Sequence, residues 1–149
     1  MKVLYAALDQ RVPGTTGGSV HVTAVAEGLA ALGHDVLVLT SRGEGRFPDD
    51  GVTWEAMGPP AGVKYLRALR ASRVELAARR MGADVIIERY YNFGGEGMRA
   101  ARAMQALAVL EVNAPVIDYP GSPKAWLDRA LLVQPMRRWR EHQCALADL

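Results

Sequence analysis

The chain has 149 residues, and half of them are hydrophobic, which is enough for one domain with its own core. Its formal net charge of +2 is too small to argue for nucleic acid, and its basic residues form neither a long tract nor an aromatic-rich basic motif. We therefore expect no nucleic-acid partner. The single cysteine, Cys144, excludes an internal disulfide framework and fits a reducing compartment.

The first predicted element is a strand over residues 2–8, "KVLYAAL", because a short and nearly continuous apolar run is typical of a strand buried on both faces of a parallel sheet. This run leads into "DQRVPG" without a small-residue cleavage site, so we interpret it as a strand and not as a signal peptide. No apolar run approaches the roughly 20 residues that span a bilayer. The expected location is the cytoplasm.

A helix is predicted from about Ser19 to Leu32, with Ser19 as the N-cap and Gly33 ending the helix in a left-handed conformation. "DVLVLT", residues 35–40, is a second buried strand, so the chain opens with a right-handed βαβ unit. The helix prediction depends on apolar residues that recur at helical spacing: Val22, Val25, Ala26, Leu29 and Ala30.

Strands and helices keep alternating along the chain, which predicts an α/β fold with a doubly wound parallel sheet in the strand order 3-2-1-4-5. The remaining predicted elements are an edge strand in "VTWEAM", a long helix from about Val63 to Met81 that ends at Gly82, a strand over Asp84–Arg89, a helix in "GMRAARAMQ", a strand over Ala106–Asn113 and a helical region from Lys124, interrupted near Pro135.

The chain stops at "CALADL", where a helix would lead into another strand, and we interpret this end as a truncation or as the end of one part of a longer protein. The strand around 106–112 would then be an unpaired edge, and we expect the fragment to self-associate through it or by exchange of the terminal helix. That terminal segment has a local charge of +3 and contains Trp126 and Trp139. It is interpreted as a solvated helix with buried tryptophans, or else as a membrane-surface contact.

Polar residues follow three predicted strands that are neighbours in this order, so we expect them to line one crevice at the carboxyl ends of the strands. Alternatively, Glu88 and Arg89 pair with neighbouring charges, and Glu111, which needs a partner if it is buried, anchors a loop. The three groups are Asp9 and Arg11 with the loop Gly14–Ser19; Glu88, Arg89, Tyr90, Tyr91 and Asn92; and Glu111 with Asn113.

The loop "GTTGGS" lacks the lysine of a phosphate-binding loop and the spacing of a dinucleotide fingerprint. Gly17 and Gly18 still allow close backbone approach, and the helix start favours an anion or a sugar hydroxyl; the alternative is a tight turn. His21 lies in the first helical turn, where the helix dipole favours a neutral ring that accepts or donates a hydrogen bond; the alternative is a capping or core histidine. No second His or Cys lies at ligand spacing, so no metal site is predicted.

Three segments in order resemble the N-terminal domain of GT-B glycosyltransferases of the family-4 type: "GGSVHVTAVAEGLAALGHDVLVLT", "DVIIERYYNFGGEG" and "LEVNAPV". The resemblance covers nearly the whole chain, 1–149. It implies one Rossmann-like domain of a two-domain enzyme, which receives the acceptor, while an absent C-terminal domain holds most of the nucleotide-sugar. It further implies retaining hexosyl transfer to an acceptor hydroxyl, with the nucleotide-sugar as substrate, no cofactor, no required metal and no activity in this chain alone.

The resemblance also implies roles for single residues. Gly17 and Gly18 would lie beside the donor diphosphate and the acceptor, and His21 would be the catalytic polar contact. Asn113 or a neighbour stands where many members carry a histidine, and Arg89, Tyr90 and Glu111 complete the expected substrate-binding residues. A stand-alone, non-catalytic Rossmann-like module for a nucleotide or other ligand is the alternative. A flavodoxin-like or dinucleotide enzyme is disfavoured by the glycine spacing and by "TSRGEG", which offers no acid directly after the second strand to hold a ribose.

Overall fold

The computed structural model describes residues 1–91, 94–113 and 141–149, and in them five parallel strands form one sheet in the order β3-β2-β1-β4-β5. The predicted fold class and strand order are confirmed. The elements are β1 (Lys2–Val12), α1 (Gly17–Ala31), β2 (Asp35–Arg42), β3 (Thr53–Ala56), two 3₁₀ segments (Pro60–Gly62 and Lys64–Arg70), α2 (Ala71–Met81), β4 (Val85–Arg89), α3 (Glu96–Met104), β5 (Leu107–Glu111) and a helical segment over 141–146.

The central strand β1 buries both of its faces, which explains its nearly continuous apolar sequence. Leu4, Ala6 and Leu8 pack into the core that contains α2 and α3 residues, while Tyr5 and Ala7 pack into the core that contains α1 residues. Successive residues of a strand point to opposite faces, so neighbours in sequence enter different environments. This alternation later separates two polar clusters at the carboxyl end of the sheet.

The N-cap of α1 is Thr16, so the prediction of Ser19 as the cap is wrong. The Thr16 side chain accepts a hydrogen bond from the Ser19 backbone N–H at 3.3 Å, and the two hydroxyls contact each other at 2.8 Å. The helix therefore starts at Gly17, and Ser19 is buried in its first turn. The end is as predicted, because Gly33 has a φ of +82°, in the left-handed region.

The predicted single helix from Val63 to Met81 is wrong in its first half, which is a 3₁₀ segment over Lys64–Arg70. Only Ala71–Met81 is α-helical, and Gly82 ends it with a φ of +66°, as expected. The 3₁₀ segment carries Arg67 into the interior, where its side chain is fully buried. An amphipathic pattern could not show this, because an arginine in a helical sequence is normally assigned to the solvated face.

The edge strand β5 is covered by the end of the chain, so the expected unpaired edge is wrong. The N–H groups of Ala108 and Leu110 donate to the Asp148 carboxylate at 2.9 Å and to the Leu149 carbonyl at 2.8 Å. The Ala108 carbonyl accepts from the N–H groups of Asp148 and Leu149. Residues 147–149 thus supply partners that a neighbouring strand would otherwise supply.

The predicted terminal helix lies mostly outside the described residues, as do Trp126, Trp139 and Asn92. In the described part of the chain, no helix combines the length and the apolar character that crossing a membrane requires.

Removing residues 147–149 should make the chain self-associate, because the polar groups of Ala108 and Leu110 lose their partners on an apolar edge strand. Light scattering should detect the association at protein concentrations between about 1 and 100 μM, the range in which exposed strand edges become prone to aggregation. Leu149→Ala is the matched control, since it keeps the main-chain contacts and should not increase association. A truncated chain that scatters like the full chain at about 100 μM would contradict the role of these residues.

Candidate functional site

A bulge in β1 redirects Asp9 away from the regular ladder. β1 pairs with β2 as far as Ala7 opposite Thr40, and pairing resumes only with Arg11 opposite Ser41. Such insertions bend a strand and re-aim its side chains. Here the Asp9 side chain is buried and reaches Arg67.

Arg67 lies at the centre of a buried charge cluster made by three elements besides its own. Its Nη1 atom is 2.7 Å from Asp9 Oδ1 of β1, and its Nε atom is 2.5 Å from Glu96 Oε1 of α3. Its Nη2 atom is 3.5 Å from Glu88 Oε1 of β4. All four side chains are almost completely buried. Arg67 therefore joins the carboxyl ends of two strands to the start of a helix.

Glu88 also holds the backbone that follows β4. Its carboxylate accepts hydrogen bonds from the N–H groups of Gly95 at 2.5 Å and Met98 at 2.9 Å. A Cβ at Gly94 would lie 2.7 Å from Glu88 Oε1, and one at Gly97 would lie 3.1 Å from the Glu88 Cβ. The glycines of "GGEG" thus let the loop and the first turn of α3 approach a buried carboxylate.

The cluster contains three carboxylates and one guanidinium, and this imbalance favours one additional proton. Burial and the neighbouring Glu96 raise the pKa of Glu88 to about 7, although Arg67 and the two backbone N–H groups oppose the change. Burial alone would lower the pKa of Arg67, but the three carboxylates more than offset it and the pKa is raised. Arg67 therefore remains charged, and Glu88 retains its proton up to near neutral pH.

A second polar cluster surrounds Glu111, the last residue of β5. Its carboxylate accepts hydrogen bonds from the Tyr5 hydroxyl and the Asn113 side-chain amide, and Arg89 Nη1 lies 3.2 Å from Oε1. His21 Nε2 lies 2.6 Å from the same oxygen, a close contact that is not aligned as a hydrogen bond. The His21 side chain is 42% exposed and that of Glu111 is 19% exposed. The cluster is therefore buried at Tyr5 and accessible at the imidazole.

Tyr5 supplies the buried base of this cluster, which we call the Glu111 cluster. Burial and the Glu111 carboxylate raise the pKa of the Tyr5 phenol, so it remains a neutral hydrogen-bond donor. No sequence pattern indicated this role, because Tyr5 lies within an apolar strand. Only the parallel pairing of β1 with β4 and of β4 with β5 brings the hydroxyl to Glu111.

The structure brings most of the predicted site residues together. His21, Arg89, Glu111 and Asn113 meet in the Glu111 cluster, and the Tyr90 backbone N–H donates to the Glu111 carbonyl at 2.9 Å. Glu111 thus has the partners that a partly buried carboxylate needs. Within the described residues, no three His, Cys, Asp or Glu side chains are arranged to hold a metal ion.

The other predicted residues lie elsewhere, so the expectation of one shared crevice holds only in part. Asp9 and Glu88 belong to the buried Arg67 cluster and do not face solvent. A Cβ at Gly17 would meet nothing within 4 Å, so this position is open. A Cβ at Gly18 would clash with the Gln10 side chain, whose amide contacts Asp9. A side chain at position 18 would therefore require the end of the Gln10 side chain to move.

The sheet order and the helices on both faces define a Rossmann-like α/β domain, with a polar cluster at the carboxyl ends of its strands. Residues 15–148 match the model of Glycosyltransferase Family 4, and the chain belongs to this family.

Solved structures share the fold at low sequence identity. A glycosyltransferase from Rickettsia africae ESF-5 aligns with a TM-score of 0.59 at 16% identity, over 85% of this chain and 33% of that protein. MurG from Acinetobacter baumannii aligns with a TM-score of 0.54 at 17% identity, over 86% of this chain and 38% of that protein. UDP-GlcNAc 2-epimerase from Methanocaldococcus jannaschii aligns with a TM-score of 0.50 at 13% identity, over 81% of this chain and 34% of that protein. The chain thus spans about a third of each structure's length, and no curated protein sequence matches it.

Arg67→Met should lower the free energy of unfolding at pH 8 by about 3–5 kcal/mol, because it leaves three carboxylates buried without their cation. Urea unfolding followed by circular dichroism measures the change. Arg79→Met is the matched control, since it breaks only exposed contacts, the pair with Glu75 at 2.7 Å and a hydrogen bond to the Ala103 carbonyl at 3.3 Å, and should cost less than about 0.5 kcal/mol. Equal, small effects of the two substitutions would contradict the central role of Arg67.

Glu88→Gln should remove a fall in stability with rising pH. The folded protein retains the Glu88 proton up to a pKa of about 7, whereas the unfolded chain releases it near 4.5. The protonated Glu88 side chain therefore adds to the free energy of unfolding in full below pH 4.5, and this stabilisation is lost as the pH rises through about 7. The total loss is on the order of 3 kcal/mol. Urea unfolding between pH 4.5 and 8 should show this fall in the parent protein only. Parallel curves for parent and variant would contradict it.

Proposed function

We propose that this chain is the acceptor-side domain of a retaining glycosyltransferase that moves a hexosyl group from a nucleotide-sugar to an acceptor hydroxyl. Membership of the family and the fold support a glycosyltransferase domain. The observation that carries the proposal is the Glu111 cluster, which presents the half-exposed His21 imidazole at the carboxyl edge of the sheet. Ligands of open α/β sheets bind at this edge.

The chemistry of the Glu111 cluster fits recognition of a polar, hydroxyl-rich ligand. With Nε2 of His21 held against Glu111, Nδ1 is the ring nitrogen left for a ligand. Glu111 is fixed by Tyr5 and Arg89, and the His21 imidazole lies in close contact with it. Preorganised polar groups of this kind stabilise charge that develops during transfer. His21 would thus be the catalytic contact, and Arg89, Tyr90, Glu111 and Asn113 would shape the substrate side.

The first turn of α1 would contribute backbone groups. The Thr16 cap occupies the N–H of Ser19, whereas the N–H groups of Gly17 and Gly18 have no acceptor within the described ranges 1–91, 94–113 and 141–149. Such N–H groups at a helix start favour an anionic or hydroxyl oxygen. In this proposal the nucleotide-sugar is a substrate, and neither a metal nor another cofactor is required.

The chain by itself would transfer no sugar. Transfer requires that the leaving diphosphate is held and its charge stabilised. In this proposal most of those contacts come from a second domain. The second candidate function is a non-catalytic module that binds a nucleotide or related ligand. It is compatible with the likeness to a UDP-GlcNAc 2-epimerase, because this fold also occurs in a protein that is not named a glycosyltransferase.

In a protein that joins this chain to its donor-binding domain, His21→Ala should lower kcat/KM by about tenfold to a thousandfold, or about 1.4–4 kcal/mol of transition-state stabilisation. Steady-state assays with a panel of sugar nucleotides and acceptors measure it. The isolated chain, assayed in parallel, should show no turnover. His142→Ala, at an exposed histidine, is the control and should leave kcat/KM unchanged.

Two outcomes would contradict the proposal. Turnover by the isolated chain would show that the second domain is dispensable. Unchanged kcat/KM in the His21→Ala protein would show that this histidine has only a structural role. The unfolding midpoint of the His21→Ala protein shows whether the variant is still folded, which the kinetic comparison requires. We expect an unchanged midpoint because the His21 side chain is not buried.

A further inference from the structure

A cavity of about 670 Å³ opens between the carboxyl ends of β1 and β2 and the loop that leads into α1. Its size falls within the roughly 300–1,000 Å³ of pockets that hold small molecules. The cavity lies on the β2 side of β1, whereas the Glu111 cluster involves β4 and β5 on the other side. It is therefore not explained by the contacts described so far.

Two glycines bring the walls of the cavity together. A Cβ at Gly43 would lie 1.8 Å from the Pro13 carbonyl oxygen, and one at Gly14 would lie 2.5 Å from the Arg11 carbonyl oxygen. The Gly43 N–H also donates to the Val12 carbonyl at 2.9 Å. The two chain segments thus pack backbone against backbone, and the cavity is a fixed feature of the fold.

Arginines from both strands line this cavity. Neither Arg11 nor Arg42 makes an ion pair in the part of the chain that the structure describes, and Glu44 is the acidic residue of the described lining. Arg42 lies over the Phe47 ring at 5.8 Å, and Phe47 stacks on Trp54 at 6.0 Å. This aromatic support restricts the guanidinium without neutralising it. The cavity therefore carries two cations and one anion.

Hydrogen-bond donors complete the lining. Thr15, Thr16 and Ser19 also line the cavity, the last two with their hydroxyls in contact at 2.8 Å, and α1 begins there without an acidic residue in its first turn. The positive end of the helix is thus not neutralised from within the helix. Guanidinium groups and hydroxyls together match a tetrahedral oxyanion, and the remaining volume exceeds what a bare ion needs.

We propose that this cavity binds the phosphate of a small phosphomonoester, such as a sugar or polyol phosphate, through Arg11 and Arg42. A phosphomonoester carries about two negative charges at neutral pH and therefore matches two guanidinium groups. Its organic part would occupy the rest of the cavity toward the loop. The proposal rests on the proposed function in one respect, because it takes this phosphorylated compound to be the acceptor. Binding itself can be measured on the chain without any transfer.

Isothermal titration of the 149-residue chain with glucose 6-phosphate, glucose, inorganic phosphate and UDP tests the proposal. We expect glucose 6-phosphate to bind with a Kd below about 1 mM, inorganic phosphate to compete with it, and glucose not to bind. Arg11→Gln and Arg42→Gln should each weaken binding at least about tenfold, which corresponds to the loss of one charge-assisted contact. Arg73→Gln removes an exposed arginine of α2 and should leave binding unchanged. Unfolding midpoints confirm that the variants fold.

Three results would overturn the proposal. The first is no saturable binding of glucose 6-phosphate by a folded chain. The second is equal binding of glucose and glucose 6-phosphate, which would exclude recognition of the phosphate. The third is tighter binding of UDP with the same dependence on Arg11 and Arg42, which would assign the cavity to a diphosphate. None of these results depends on sugar transfer, so they remain distinguishable from a failure of the His21→Ala experiment.

Discussion

The buried guanidinium of Arg67 is the interaction on which the carboxyl end of the sheet depends. It binds carboxylates from β1, β4 and α3, and it does so without access to solvent. Burying an ion costs several kcal/mol, so this cluster persists only because three carboxyl groups surround the guanidinium, while two backbone N–H groups donate to the Glu88 carboxylate. The cluster fixes where β1 bulges, where the loop after β4 runs and where α3 begins.

The Arg67 cluster and the Glu111 cluster are separated by the alternation of β4. Glu88 and Arg89 are adjacent in sequence, but Glu88 enters the core beside α3, whereas Arg89 contacts Glu111 and the Tyr5 side of the sheet. One residue therefore supports the scaffold and the next belongs to the accessible polar edge. This division is how the sheet presents a partly exposed imidazole while the charges of the Arg67 cluster remain buried.

The N-terminal turn of α1 connects the two sides of the candidate site. The Gln10 side chain contacts Asp9 and packs against Gly18, so the turn is coupled to the Arg67 cluster. On one side of the turn is the cavity with Arg11, and on the other is His21 against Glu111. A ligand that spans this turn would touch both a basic cavity and a polar contact, which suits a compound with a charged group and a reactive hydroxyl.

The sequence by itself determined the α/β class and the strand order, and it placed Arg89 and Glu111 at the same edge of the sheet, since hydrophobic periodicity and short connections restrict a parallel sheet to few arrangements. The sequence also indicated that the Glu111 carboxylate needs a partner if it is buried. Only the tertiary structure decided that Arg67 is buried and that Tyr5 donates to Glu111, because these contacts join residues far apart in sequence. Local patterns report which face of an element is apolar, but they do not report which charges that face brings together.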